Sequence, residues 1–143
     1  MLPLNPLAHA TASMPTLGCD IEQVERFLAY ASTPQHRFIQ RIYTPHEQKY
    51  CFSALRKTHI AQRLAARFCA KEAVYKALSA FGETGLSWHS AEVRHGTHGE
   101  PWLQLHPAAL AQRYQVQLSL SHTTTMAMAQ VLVFSVCLSY TKK

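Results

Sequence analysis

Charge is scarce in this chain: only 15% of its 143 residues are charged, and eight acids face 14 Lys and Arg for a formal charge of +6. So sparse a charge excludes a disordered basic tail, while its sign suggests an anionic partner: nucleic acid, a phosphorylated cofactor or an acidic protein. The four cysteines, Cys19, Cys51, Cys69 and Cys137, form no C-x-x-C pair and have no His cluster at metal-ligand spacing. Buried free thiols in a reducing compartment fit better than zinc ligands or a disulfide framework. The most apolar run, Met126–Leu138, has 13 residues, too few to cross a bilayer as a helix. Residues 1–15 contain no Lys or Arg and are broken by Pro3, Pro6 and His9, unlike a signal peptide. They are expected to be a loose extension before one domain over 16–143, and the protein to be soluble and cytoplasmic, with no membrane partner. No G-x-G-x-x-G, no Walker A signature and no repeat of 20 to 50 residues is present.

What is there reads as helices first and strands mostly later. A short apolar strand, "TLGCDI", hands over to "EQVERFLAYA", where Val24, Phe27 and Leu28 recur at helical spacing. Thr44 as N-cap, Pro45 at the first helical position and Glu47 completing a capping box predict a helix from there to about Leu55. A long central helix over about Thr58–Ala80 aligns Leu64, Phe68, Tyr75 and Leu78 on one stripe. Lys71 falls within that stripe, its stem expected to pack there while the amine snorkels to solvent. Strands follow at "SAEVRH" and "PWLQLH", a short helix over about Pro107–Tyr114, then strands at "VQLSLS" and "MAMAQVLVFSV". Such segregation predicts an α+β domain, its mostly antiparallel sheet packed against the long central helix.

Two constellations could carry chemistry. Glu72 and Lys76 stand one turn apart on the shoulder of the stripe, beside Ala61, Ala65 and Cys69, where small neighbours would let a strand or ligand approach. On spacing alone the better reading is a surface ion pair. In "GCDIEQ" an extended backbone would point Asp20 and Glu22 to one side, with Gly18 marking a close approach. The competing reading of Asp20 is a helix cap. Asp20 with Glu72 would suit Mg²⁺, which takes one or two protein carboxylates and fills its octahedron with water and phosphate oxygens. Lys76, with Arg67 earlier on the helix, would then meet the remaining phosphate charge.

Four motifs in order, "GCDIEQVER", "RFCAKEAVYKAL", "HGEPWLQL" and "LSLSHTTTMAMAQV", joined by "RFIQRIYTPHEQKYC", resemble the small holo-acyl-carrier-protein synthases, phosphopantetheinyl transferases, over about Leu17–Val133. The resemblance implies the 4'-phosphopantetheinyl transferase fold and an Mg²⁺-dependent transfer from coenzyme A to a serine of an acidic acyl carrier protein, releasing 3',5'-ADP. By it Asp20 and Glu72 bind the metal, with Glu22 matching a further ligand of the related surfactin-synthetase-type enzymes. Lys76 lies near the transferred phosphate, and Glu72 is the candidate base. The CoA contacts implied are Arg67, His122 and Thr123, with Lys76, and Gly99 and Pro101 form a turn beside the adenine. Arg26, Arg37 and Arg41, on or near the first helix, would face the carrier protein. Members of this size are trimers with active sites between subunits. Ser79 stands where many members have the first glycine of a G-T-G loop. Two other readings compete: a catalytically silent relative, motivated by Ser79, and a basic nucleic-acid module, motivated by the charge but without an aromatic-basic motif.

Overall fold

The fold is described from a computed structural model over residues 14–136. Most of the extension assigned to residues 1–15, and Cys137, lie outside the described residues. Among those described, no helix is long and apolar enough to cross a membrane.

Three strands, β1 (Thr16–Gln23), β4 (Tyr114–His122) and β5 (Met126–Ser135), form an antiparallel sheet in the order β1-β5-β4. A separate hairpin pairs β2 (Ala91–His95) with β3 (Pro101–Leu105). The helices are α1 (Glu25–Leu28), α2 (Arg37–Ile42), α3 (Pro45–Phe52), α4 (Lys57–Ser79) and α5 (Ala108–Arg113). β5 is so apolar because it is central. Its Ala127, Ala129, Val131 and Val133 are buried on the face toward α4, where they pair with Glu22, Asp20, Gly18 and Thr16 of β1. The opposite face carries Leu17 and Ile21, 68% and 59% exposed, beside half-buried Met128, Leu132 and Phe134.

Gly18 sets how closely β1 and α4 approach: a Cβ there would stand 1.8 Å from the Ala73 carbonyl oxygen. The Thr16 hydroxyl donates to Ala77 O at 2.8 Å and closes the same seam. Since the obstacle is helix backbone, Gly18→Ala must push the strand away. We expect it to remove about 3 kcal/mol of stability and to lower Tm by about 10 °C in a circular dichroism melt. An unchanged Tm would show that the two elements do not touch there.

The α4 stripe is buried at Leu64, Phe68 and Leu78, and Tyr75, half-buried, donates its hydroxyl to Ser87 O. Lys71 departs from expectation. Its amine does not reach solvent but ends in the core, 2.9 Å from the Glu47 carboxylate, with both side chains fully buried. It also donates to Trp88 O and Ala91 O, filling all three ammonium donors. Glu47 completes the capping box with Thr44 and accepts from Val93 N at 2.8 Å. Burial holds the Lys71 amine below its ordinary pKa, opposed by the attraction of Glu47. The stripe placed Lys71 inside; its partner, 24 positions upstream, left no periodic signal.

The first helix is also shorter than its apolar spacing suggests. Val24 and Phe27 are buried, but one turn suffices for both, and Leu28 is 40% exposed. Turns follow, so Arg37 and Arg41 belong to a separate α2 whose Phe38 stacks on Phe68 of α4. Helix α3 stops at Phe52 rather than Leu55, with Ser53 as its C-cap. Ser79 lies in the last turn of α4 and donates to Lys76 O. The chain turns only at Gly82, whose φ of +84° suits glycine.

Candidate active site

Alternation along β1 turns Asp20 and Glu22 toward α4, where Glu72 and Lys76 occupy one face a turn apart. Lys76 does not pair with Glu72. Its Nζ donates to Asp20 Oδ1 at 2.8 Å and to Cys19 O at 2.9 Å, joining helix to strand. That hydrogen bond raises the Lys76 pKa, so the amine stays charged. Asp20 is therefore not a helix cap. Its second oxygen, Oδ2, is buried without a hydrogen-bond partner. Burial, and then the negative charge of Asp20, push the Glu72 carboxyl above its ordinary pKa, with Lys76 opposing. Glu22 accepts from Arg26 Nη1 at 2.6 Å, and the Arg26 guanidinium sits 5.0 Å from the Phe68 ring centre. Cys69 lies on the same shoulder, its Sγ on Ala127 O. Burial, reinforced by Asp20, pushes its thiol up to about 12, so it is inert at neutral pH.

An orphaned carboxylate oxygen beside a second, destabilised carboxylate is a place that lacks positive charge. Asp20 and Glu72 fit a divalent cation. Among the described residues no group of three or more His, Cys, Asp or Glu side chains could hold a metal. Two protein carboxylates with the other positions left to water and phosphate oxygens is the donor set of Mg²⁺ rather than of zinc.

A second constellation lies elsewhere on α4. Arg67 is nine residues before Lys76, about half a turn round the helix axis, so the two do not share a site within one chain. Arg67 instead lines a cavity of about 480 Å³ with Pro101, His122, Tyr50, Arg63 and His95. None of Asp20, Glu72 and Lys76 lines it. Arg67 is 2% exposed, its guanidinium carbon is 4.0 Å from the Tyr50 ring centre, and its Nε has no hydrogen-bond partner. Gly99 and Thr123 do not line this cavity, but each stands at a turn close in sequence to a residue that does, Pro101 and His122 respectively. Gly99, with φ +83°, makes the β2–β3 turn before Pro101. Thr123 Oγ1 accepts from Thr125 N and Met126 N just after His122. Arg37 and Arg41 are exposed on α2 and line neither constellation. Among the other lining residues, Tyr50, Arg63 and His95 carry ring or charged groups that the sequence motifs do not point to. Arg63 had a signal, its i,i+4 spacing from Arg67; Tyr50 and His95 had none, since tertiary packing alone brings α3 and β2 there.

Comparison with known proteins bears on the whole arrangement. The pattern of the 4'-phosphopantetheinyl transferase superfamily matches residues 16–133. A holo-[acyl-carrier-protein] synthase of Geobacter sulfurreducens is 37% identical over 121 residues, 81% of this chain and 94% of that protein. One from Koribacter versatilis is 39% identical over the same shares. The crystal structure of a holo-(acyl-carrier-protein) synthase from Bacillus anthracis in complex with CoA (3',5'-ADP) superposes with a TM-score of 0.69. It is 30% identical, over 85% of this chain and 96% of that one. A Helicobacter pylori holo-[acyl-carrier-protein] synthase in complex with coenzyme A gives 0.67 at 25% identity, over 82% and 98%. With its antiparallel sheet, its long helix and the paired carboxylates between them, this chain belongs to the 4'-phosphopantetheinyl transferase superfamily and, within it, to the holo-[acyl-carrier-protein] synthases.

Proposed function

We propose that the protein transfers the 4'-phosphopantetheine of coenzyme A to a serine hydroxyl of an acidic apo acyl carrier protein, with Mg²⁺ at Asp20 and Glu72. The observation that carries this reading is the Asp20 carboxylate, one oxygen on Lys76 and the other orphaned beside Glu72. Mg²⁺ bound there would neutralise the pyrophosphate and its developing charge. Phosphoryl transfer otherwise asks for placement and charge compensation, which the protein's own groups provide. Lys76, held by Asp20 and Cys19 O, keeps a fixed positive charge toward the transferred phosphate. The serine oxygen forms a bond to the β-phosphorus. The bond from that phosphorus to the bridging oxygen breaks, and 3',5'-ADP leaves with the electron pair. Glu72, the carboxylate beside the transferred phosphate in this reading, takes the serine proton. Glu22, engaged by Arg26, is a further ligand only if that ion pair opens.

Arg67, His122, Thr123, Gly99 and Pro101 form the part that receives the nucleotide end of CoA. Because their cavity and the carboxylates occupy different faces of α4, the reading places each active site between two copies of a homotrimer. The outer sheet face, with exposed Leu17 and Ile21, is suited to be covered in such an assembly. Arg26, Arg37 and Arg41 present cations to the carrier. We place the enzyme in the cytoplasm, where the free thiols Cys19, Cys51 and Cys69 stay reduced. The test incubates the protein with CoA, Mg²⁺ and apo carrier protein and follows carrier mass together with released 3',5'-ADP. Equal amounts of modified carrier and 3',5'-ADP are expected; neither product with any of several carriers would overturn the reading.

A further inference from the structure

The cavity beside Arg67 contains a group that neither the motifs nor the mechanism uses. His95, at the end of β2, stacks on the Tyr50 ring with centres 4.5 Å apart and planes 15° apart. Its Nε2 is 3.5 Å from Arg67 Nη2. A guanidinium only donates, so this contact requires Nε2 to be an unprotonated acceptor. Around the imidazole stand Arg63 and Arg67 from α4 and His46 and Tyr50 from α3, with Glu100 at the hairpin the one acid that acts on it. His59 and His122 share the cavity lining. Burial, then Arg67, His46 and Arg63, hold the His95 imidazolium below its ordinary pKa, while Glu100 raises it. Arg67, almost wholly buried with an orphaned Nε, is a cation prepared for an anion.

We propose that His95 is a further binding residue for the phosphate-bearing ligand of this cavity, and that it takes up a proton as the ligand enters. Phosphate oxygens that occupy the donors of Arg67 release Nε2 from its acceptor role. The same oxygens offset the two guanidinium charges, so the imidazole gains a proton and becomes a donor to the phosphate. Ligand affinity therefore falls as pH rises through the range in which the ligand-free imidazole is neutral and the bound one is charged. This inference rests on the transferase reading for the ligand's identity, but not on the metal site or the chemical step.

The experiment is titration calorimetry of the full-length protein with 3',5'-ADP, in buffers of different ionisation enthalpy, at about pH 6, 7 and 8. Parent protein should take up a fraction of a proton near neutrality, with affinity falling about three- to tenfold from pH 6 to 8 beyond the ligand's own titration. His95→Gln should bind about tenfold more weakly at pH 6 and lose that part of the proton uptake. His95→Lys, which keeps a cation without titrating in this range, should bind within about threefold of parent at pH 6 and also lose it; it serves equally if His95→Gln folds poorly. Proton uptake and pH slope unchanged in either variant, or absent from the parent, would overturn the role of His95 and leave the transferase reading standing. No binding of 3',5'-ADP or CoA at any pH would overturn both.

Discussion

Replacing Asp20 by Ala should lower kcat/KM for phosphopantetheine transfer by about 10³ or more while the protein stays folded. The effect is large because one carboxylate serves two partners: Oδ1 anchors Lys76 at 2.8 Å, and Oδ2 is the buried oxygen without a partner. Its loss frees the ammonium group and removes one of the two carboxylates proposed to hold the cation. The side chain is partly buried at the edge of the sheet, not in the core, so circular dichroism should change little. Glu72→Gln should be as damaging to transfer, with an opposite effect on stability. The folded-state pKa of Glu72 is raised, so the folded state holds the proton more tightly than the unfolded chain does. Ionisation then costs the fold stability once the pH exceeds the raised value, and that cost disappears as the pH falls toward the ordinary carboxylate range. Gln removes it, and without Mg²⁺ the variant should melt about 1–3 °C above the parent at neutral pH, a small gain because Glu72 is only partly buried. Added Mg²⁺ should raise the parent's Tm and leave the variant's nearly unchanged. A Glu72→Gln protein that melts below the parent without metal would contradict the electrostatic account.

The second large effect concerns stability. Lys71→Met should cost about 3–5 kcal/mol and lower Tm by about 10–15 °C, because it leaves the Glu47 carboxylate buried without its cation and uncovers Trp88 O and Ala91 O. Neutralising the remaining partner should recover part of that loss. The double variant Lys71→Met/Glu47→Gln should melt above Lys71→Met alone, since a Gln amide still accepts one hydrogen bond from Val93 N or Thr44 N and leaves no buried charge. Thermal melts of both variants decide the matter. A single variant that melts like the parent would mean that the Lys71 amine reaches water after all. Within "RFCAKEAVYKAL", then, adjacent charges do unlike work: Lys71 joins α3, α4 and the hairpin from inside, while Glu72 and Lys76 stand on the face toward Asp20, at the proposed metal and phosphate site.

How far these roles were legible depends on whether the relevant contact is local. The capping box at Thr44 and Glu47 could be read because both halves lie within one turn, and the alternation that turns Asp20 and Glu22 to one face because strand geometry has period two. Gly18 was readable as a close approach, though not that helix backbone, rather than ligand, comes near. Helical spacing offered Lys76 to Glu72, yet the amine chose Asp20, 56 positions away, since only the packed seam brings that carboxylate within reach. Lys71 was placed correctly in the stripe and wrongly in its outlook, because a buried ammonium needs acceptors from other elements and no period marks them. The cavity at Arg67 was half visible. Arg67, Pro101 and His122 came through the motifs, whereas Tyr50 and His95 meet only when α3 and β2 fold against α4. That Arg67 and Lys76 diverge by about half a turn follows from their spacing, and it divides one set of motif residues into two surfaces.

Intact-mass measurement of an apo carrier protein incubated with CoA and either parent or Asp20→Ala, each with Mg²⁺ and with a chelator, tests the central claim most directly. Parent with Mg²⁺ should add one phosphopantetheine per carrier, and chelated parent and Asp20→Ala should add almost none. Modification by Asp20→Ala at the parent's rate would contradict the assignment of the metal and phosphate site to Asp20, Glu72 and Lys76.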